Sequence, residues 1–388
     1  MPSQNQSKAL VLHKIASPLH LELQDFAVPS PPSHGSANVR ILASPISATT
    51  SKFLTGASTF LTFPTPFVPG HSAIGRVQST GPDATLLKEG DLVYVDSFIR
   101  SRDDPVTTQI LLGLNGGPHA EQRHLMESGW PRGLFQTVAT TPLENTHRLD
   151  AETLLNRFGY TVSELAISIP RLSIVYGGMR AVDLKAGQTL LVGPATGFFS
   201  GAAVELGVAL GARVIAISRS APGLERLKTT LSRTYPDRPA LETVVVTGDV
   251  SADEAAVRAL LPTGSPGIDA FIDLSPGLGT QPSHVQVGFG ALRPGGKVAL
   301  MGGIYGNLNI NHAQLLYKSV TIKGQWMHTK EEVEELLRMV EAGIVKIGKT
   351  AGYEVRGEYP LEQWSEAIEL AAAGDEWAKG YVFTPLKE

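Results

Sequence analysis

The feature that most constrains this 388-residue chain is a run of apolar segments alternating with helical stretches between about 189 and 327. It reads "TLLV", a helix through "SGAAVELGVAL", "RVIAI", a helix through "LERLKTTLSRTY", "TVVV", a helix through "DEAAVRALL", "IDAFIDL", and "KVALMG" after the turn "RPGG". Alternation of this kind predicts an α/β fold: a doubly wound parallel sheet with helices on both faces. Thr329 and Glu332 are spaced as a capping box before "EEVEELLRMVEAG", which predicts an amphipathic helix.

The first 150 residues have another texture. Gly, Pro, Ser and Thr abound, and β-branched runs such as "NVRIL", "AIGRVQ" and "DLVYVD" are separated by turn signals such as "GPDAT" and "KEGD", which predicts an irregular β domain. The last forty residues return to mixed helix and strand. With 42% hydrophobic and 18% charged residues the chain reads as globular, in two or three domains. A net charge of −4 gives no basic field for nucleic acid or acidic lipid. No run of eighteen apolar residues occurs, and "MPSQNQSKALVLHK" lacks the pattern of a secretory signal, so a cytoplasmic protein with no membrane partner is expected. The absence of cysteine removes disulfides, thiolate ligands and cysteine nucleophiles together.

The first strand-to-helix turn of the alternating region, "VGPATGFFSG", almost spells a dinucleotide fingerprint. Its best register is Ala195-x-Gly197-x-x-Ser200. Gly197 supplies the close backbone approach that a pyrophosphate needs, and Ser200 to Ala203 are four consecutive small residues where helix meets strand. Competing motifs fail on single residues: Phe198 stands where a Walker loop needs Lys, Ala203 ends the short-chain dehydrogenase pattern, no Tyr-x-x-x-Lys pair occurs, and Ile74 replaces the last glycine of a hydrolase elbow in "GHSAI". A tight turn in any doubly wound sheet is the plainer alternative.

With "FVPGHSAIGRVQSTGPDATLLKEGDLVYV" before the turn, "KAGQTLLVGPATGFFSGAAVELGVALGARVIAISRS" around it and "ALRPGGKVALMGG" after it, the chain resembles the medium-chain dehydrogenase/reductase superfamily. The resemblance implies a GroES-like catalytic domain over 1–155, to which 345–388 return, and a Rossmann domain for NADP(H) over 156–344. It also implies hydride transfer by a nicotinamide cofactor. Zinc-dependent relatives carry the ligand histidine in a G-H-E segment. Here Ser72 follows His71, Thr49 or a neighbour occupies the region of the usual cysteine, and the chain looks like the zinc-independent branch of quinone, enone and enoyl-thioester reductases. The tyrosine that helps the enoyl-thioester reductases protonate their product is missing from "TTSKFLTGAST".

The expected reaction is therefore NADPH-dependent reduction of an activated C=C or a quinone, because delocalised carbanion charge needs less electrophilic help than a simple ketone. A zinc-free carbonyl reductase or alcohol dehydrogenase, and a catalytically silent NADPH-binding protein, are the alternatives. Candidate catalytic residues are Thr50, Ser51, His71, Tyr94 and Tyr176. Each has a plain structural alternative: a retained histidine, a strand aromatic, turn-capping hydroxyls. Cofactor contacts are expected at Ala195, Thr196, Gly197, Phe198 and Phe199, at Ser218 and Arg219 after the second strand, at Asp249 and Val250 after the third, and at Ser275, Gly302, Gly303 and Ile304 after later strands. With Ser218-Arg219 where an NAD site places an acid, NADPH is expected over NADH. No metal is expected. The strand "SVTIKGQWM", Ser319 to Met327, is expected as the paired edge of a homodimer. The insert from "RSRDDP" to about Arg132 reads as a solvated loop, with a lid as the alternative.

Overall fold

The structure, a computed structural model, describes residues 6–58, 61–277, 279–374 and 376–386. The first five residues of the amino-terminal stretch and Thr59 of "TTSKFLTGAST" lie outside the described residues. The chain divides into two compact units: 1–170 with 353–375 and 379–388, and 171–352 with 376–378. Both junctions fall later than the expected 155/156 and 344/345. The first lies inside the helix Val162–Ala181, at Pro170, and Ser163 Oγ donates to Glu358 Oε1 at 2.5 Å within the first unit. The second moves because Val345 and Ile347 are fully buried and Lys346 N donates to Tyr235 Oη at 2.9 Å, which ties this segment to the second unit.

The second unit is built on a six-stranded, wholly parallel sheet in the order Glu242–Val245, Arg213–Ser218, Thr189–Gly193, Ile268–Asp273, Leu292–Leu300, Thr321–Gly324. Numbered along the chain within this unit, that order is 3-2-1-4-5-6, the doubly wound arrangement that leaves a crevice where the direction of winding reverses, between Thr189–Gly193 and Ile268–Asp273. All five residues of the central strand are buried, as a strand covered on both faces must be. The expected helices form over Phe198–Ala209, Ala221–Thr234 and Val250–Ala259. The helix Lys330–Glu341 starts on the expected box: Thr329 N donates to Glu332 Oε2 at 2.8 Å and Glu332 N to Thr329 Oγ1 at 3.2 Å.

Two further helices, Ser283–Ala291 and His312–Lys318, were not announced by periodicity. The first is buried along nearly its whole length, so it carries no polar face to give a period. The edge strand is shorter than the expected 319–327. Ser319, at φ 50°, ends the preceding helix in the left-handed region, and Met327, at φ 62°, turns the chain away.

In the first unit, Ser36–Ile46 is the central strand, pairing antiparallel with Ala73–Thr80, Val138–Pro142 and the carboxy-terminal strand Lys379–Phe383. Leu92–Val95, Thr146–Arg148 and Glu354–Tyr359 extend the sheet. The insert meets the expectation of a solvated loop only in part: Arg102, Asp103 and Pro105 to Thr107 are exposed, but the rest has structure of its own. It forms the hairpin Phe98–Arg100 with Gln109–Leu111 and the short helix Ala120–His124, and it sinks Met126 fully into the β core with Leu125 and Trp130 packed beside it. Among the described residues no helix is long and apolar enough to cross a membrane.

Candidate functional site

In the second unit the near-miss fingerprint forms a tight, small-residue turn. Gly197, in extended backbone at φ −83° and ψ 178°, caps the twelve-residue helix Phe198–Ala209, and its N–H donates to Ser200 Oγ at 2.9 Å. Ala195, fully buried at a negative φ position, serves the bend without glycine; its N–H donates to Ile217 O at 2.8 Å. Ser200 to Ala203 allow the close approach expected of small residues. A Cβ on Gly201 would lie 2.5 Å from Trp377, which is itself held by a 3.1 Å bond from its Nε1 to the buried Glu205. The helix start therefore presents its unfulfilled first-turn N–H groups beside a backbone that lets an anion come near. Phe198 turns inward, with the buried Arg171 guanidinium 4.1 Å from its ring centre, whereas Phe199 is 40% exposed. A desolvated cation–π contact of this kind contributes about 2 kcal/mol.

At the end of the second strand Ser218 is buried, shares a 2.9 Å hydrogen bond with Thr196 Oγ1, and accepts from Ser220 N at 3.3 Å. Thus Thr196 and Ser218 tie the first two loops together. Arg219 beside them is exposed, and it makes no hydrogen bond or ion pair among the described residues. At the third strand, Asp249 has another employment: its Oδ1 accepts from Ser251 N at 2.9 Å and Ala252 N at 3.0 Å, capping the next helix. Val250 packs against the apolar core. Both are accounted for by helix initiation, the competing demand that the sequence position did not reveal.

Ser275 belongs to a buried cluster that sequence reasoning saw only in part. Its Oγ donates to Asp273 Oδ1 at 2.6 Å and lies 3.0 Å from His284 Nε2, which is 3.2 Å from the same carboxylate oxygen. Gly302 closes over this cluster: a Cβ there would sit 2.6 Å from both Asp273 Oδ2 and Ser275 N. Gly303 N donates to Ser275 O at 2.9 Å, and Ile304 is part of the neighbouring apolar packing. His284 came from the helix without a period, so nothing in the sequence marked it.

Tyr176 sits in the helix Val162–Ala181 and donates its hydroxyl hydrogen to Glu335 Oε2 at 2.8 Å. Burial, reinforced by the Glu335 carboxylate, pushes its pKa up to about 12. That makes it a poor proton donor and a good strut between two helices. The adjacent Gly177 and Gly178 have the packing role, since a Cβ on either would come within 2.3 Å of Met327 O or Met301 Sδ.

In the first unit Thr50 and His71 come together in an apolar pocket. Phe53, Phe63, Phe67 and Phe135 line it, with Phe63 and Phe67 stacked at 4.6 Å. Three glycines set the pocket's floor. Gly70 N donates to Gly113 O at 3.1 Å, Leu134 N to Gly70 O at 2.8 Å, and a Cβ on Gly113 would fall 2.1 Å from Gly70 O and 2.7 Å from the Gly133 Cα. Gly70 and Gly113 have φ of +106° and +61°, the region that favours glycine. Burial lowers the His71 pKa to about 4 despite the opposing pull of Asp96, so the imidazole is neutral at pH 7.

Ser51 does not line this pocket, and its carbonyl is taken by Thr55 Oγ1 at 2.7 Å. Tyr94 is 1% exposed, stacks with His147 and donates to Asp96 Oδ1 at 3.2 Å, which makes it a core residue of its strand. The chain has no cysteine, and among the described residues no three His, Asp or Glu side chains converge as metal ligands. This donor set does not fit a zinc ion.

Two family profiles match the chain: "Alcohol dehydrogenase GroES-like domain" over residues 33–151 and "Zinc-binding dehydrogenase" over 200–342. A quinone oxidoreductase of Pongo abelii is 24% identical over 371 residues, covering 94% of each chain. An L-threonine 3-dehydrogenase of Pyrococcus furiosus is 24% identical over 318 residues, covering 80% of each. Among solved structures, an alcohol dehydrogenase of Thermotoga maritima superposes with a TM-score of 0.74 at 19% identity, over 98% of this chain and all of that one. A putative zinc-binding dehydrogenase of Sinorhizobium meliloti bound to NADP gives 0.71 at 18% identity, over 98% and 99%.

Proposed function

The chain belongs to the medium-chain dehydrogenase/reductase superfamily, a family of oxidoreductases with a nicotinamide cofactor, and from that premise we propose that it is an NADPH-dependent, zinc-independent reductase of an activated C=C or a quinone. The observation that carries the reading is the pocket around His71: aromatic walls, one hydroxyl and one neutral imidazole, and no charged side chain in its lining. Quinone oxidoreductases are among the relatives, and a structural neighbour is bound to NADP.

The glycine turn suits the cofactor's pyrophosphate, and Arg219 its 2′-phosphate. First-turn amides at Phe198 and Phe199 serve the former. The guanidinium of Arg219, which makes no ion pair among the described residues, offers charge-assisted hydrogen bonds to the latter, with Ser218 as the residue that fixes the loop. Asp273 and His284 hold Ser275, and through it the turn at Gly302–Gly303, at the mouth of the crevice. When bound, the nicotinamide supplies the hydride. Thr50 Oγ1 and the His71 N–H are the donors for an acceptor oxygen as negative charge develops on it. Apolar walls strengthen such bonds by excluding water.

The test is NADPH consumption with paired substrates, an enone and the saturated ketone of the same skeleton. Turnover of the enone or a quinone alone supports the reading. Turnover of the ketone points to a carbonyl reductase, and tight NADPH binding without turnover on either points to a silent relative. We extend the proposal to a homodimer in the cytosol. The strand Thr321–Gly324 is a sheet edge, and Leu316, Tyr317 and Trp326 beside it are 62%, 84% and 48% exposed. Light scattering at micromolar concentration should give twice the 41.3 kDa chain mass; a monomer would reject it.

A further inference from the structure

The insert of the first unit supplies one wall of the pocket, through Gly113 and Leu114. Leu114 is held between two anchors. On one side Gly113 is locked against Gly70 and Gly133 by backbone contact. On the other, Asn115 closes a tight turn by exchanging backbone bonds with Leu111, at 2.8 and 2.9 Å. The Asn115 side chain then reaches across: its Oδ1 accepts from Thr62 N at 3.0 Å and from Gly117 N at 3.1 Å, while Gly116 N donates to Thr62 O at 2.6 Å. Thr62 directly precedes Phe63, so the same carboxamide also fixes the start of the aromatic wall, Phe63 stacked on Phe67.

We propose that Leu114 is a specificity-determining residue and Asn115 the positioning residue that fixes it relative to the Phe63 wall, and that together they select small, uncharged, flat ring compounds. This rests on the reductase reading for its chemistry, but not for its geometry. The pocket's lining holds no Lys or Arg, so nothing there pairs with a phosphate or carboxylate tail. The two walls are joined by two hydrogen bonds, Thr62 N to Asn115 Oδ1 and Gly116 N to Thr62 O, and the Gly117 N bond to the same Asn115 oxygen holds the turn in shape, so the walls cannot part to admit a larger ligand without breaking both links.

The experiment measures binding by calorimetry in the absence of nicotinamide, with 2-cyclohexen-1-one, 1,4-naphthoquinone and 9,10-phenanthrenequinone as probes of one, two and three rings. KM and kcat with NADPH are measured alongside. In the parent protein the three-ring probe should bind weakest of the two quinones. Leu114→Phe should weaken 1,4-naphthoquinone about tenfold or more, and leave 2-cyclohexen-1-one within about threefold, with the change in KM rather than kcat. Leu114→Ala should narrow the gap between the two quinones. Asn115→Ala should narrow it too, and Asn115→Asp, which keeps an acceptor for Thr62 N and Gly117 N, should restore it. Equal shifts for all probes in the Leu114 variants, or an Asn115→Asp protein with the parent's circular dichroism and no restored selectivity, would overturn the proposal. Ring-size selectivity without NADPH consumption would uphold the wall and sink the reductase reading.

Discussion

The glycine turn of the second unit and the pocket of the first are two ways of preparing a site. The turn is polar and unfinished: helix N–H groups without intrahelical partners and an arginine with no ion pair among the described residues, all at the carboxyl ends of strands. The pocket is apolar and finished. Its imidazole is neutral, two of its aromatic rings, Phe63 and Phe67, are stacked, and its floor is backbone against backbone. A site of the first kind gains its affinity from what it leaves unsatisfied. One of the second kind depends on packing that is complete before any ligand arrives, so it is the more sensitive to shape.

That contrast breaks most easily at Gly113. An alanine there must adopt a positive φ and push its Cβ into Gly70 O, for which no flexible side chain can give way. Strain and overpacking together should cost about 3 kcal/mol or more, read as a lowered thermal midpoint with the circular dichroism of the folded state lost first on heating. A fall of less than a degree would mean that the crossing is looser than described.

Acid should expose the finished site next. The His71 pKa falls from 6.5 to about 4 on folding, so between those values the unfolded chain holds the proton that the folded one refuses. The resulting stability is present above pH 6.5 and is lost as pH drops toward 4, by about 3 kcal/mol. His71→Asn should flatten this limb in denaturant titrations at pH 4.5 and 7; an unchanged slope would place the acid sensitivity elsewhere.

Arg219→Ala addresses the unfinished site. Hydrogen bonds to charged groups contribute about 1.5–3 kcal/mol, so NADPH binding should weaken by about ten- to a hundredfold while NADH binding stays nearly unchanged. Equal losses for both cofactors would remove Arg219 from the 2′-phosphate. The smallest effect is expected at Tyr176→Phe. It removes one hydrogen bond to Glu335, about 1 kcal/mol of stability, and should leave kcat within about threefold. A kcat lowered a hundredfold would return Tyr176 to the catalytic machinery.

Most of the second unit was legible because its physics is periodic. Strands buried on both faces read as apolar runs, amphipathic helices show a 3.6-residue period, and loops between them sit where the strand order reverses, so Gly197, Ser218, Arg219 and Ser275 could be placed by counting. Where a helix has no polar face, as in Ser283–Ala291, the signal vanishes, and His284 vanished with it. Asp249 shows the converse: counting places it after the third strand, and its carboxylate is engaged in capping the next helix, a demand that position alone does not reveal.

In the first unit the sequence determined the strands, the absence of thiolate ligands and the candidacy of His71. It did not determine the pocket. Phe53 lies on the short helix Thr50–Leu54 and Phe63, Phe67, Gly113 and Phe135 on irregular segments, and their meeting depends on contacts that no local period encodes. Tyr94 and Tyr176 show the same limit from the other side, since both have the chemistry of a proton donor and only packing decides that one is core and the other a strut. Residue types and spacing fix which groups a chain can bring to a reaction. Which of them reach a cavity with a free N–H or O–H is settled by burial and by competing hydrogen-bond partners, and those exist only once the chain has folded.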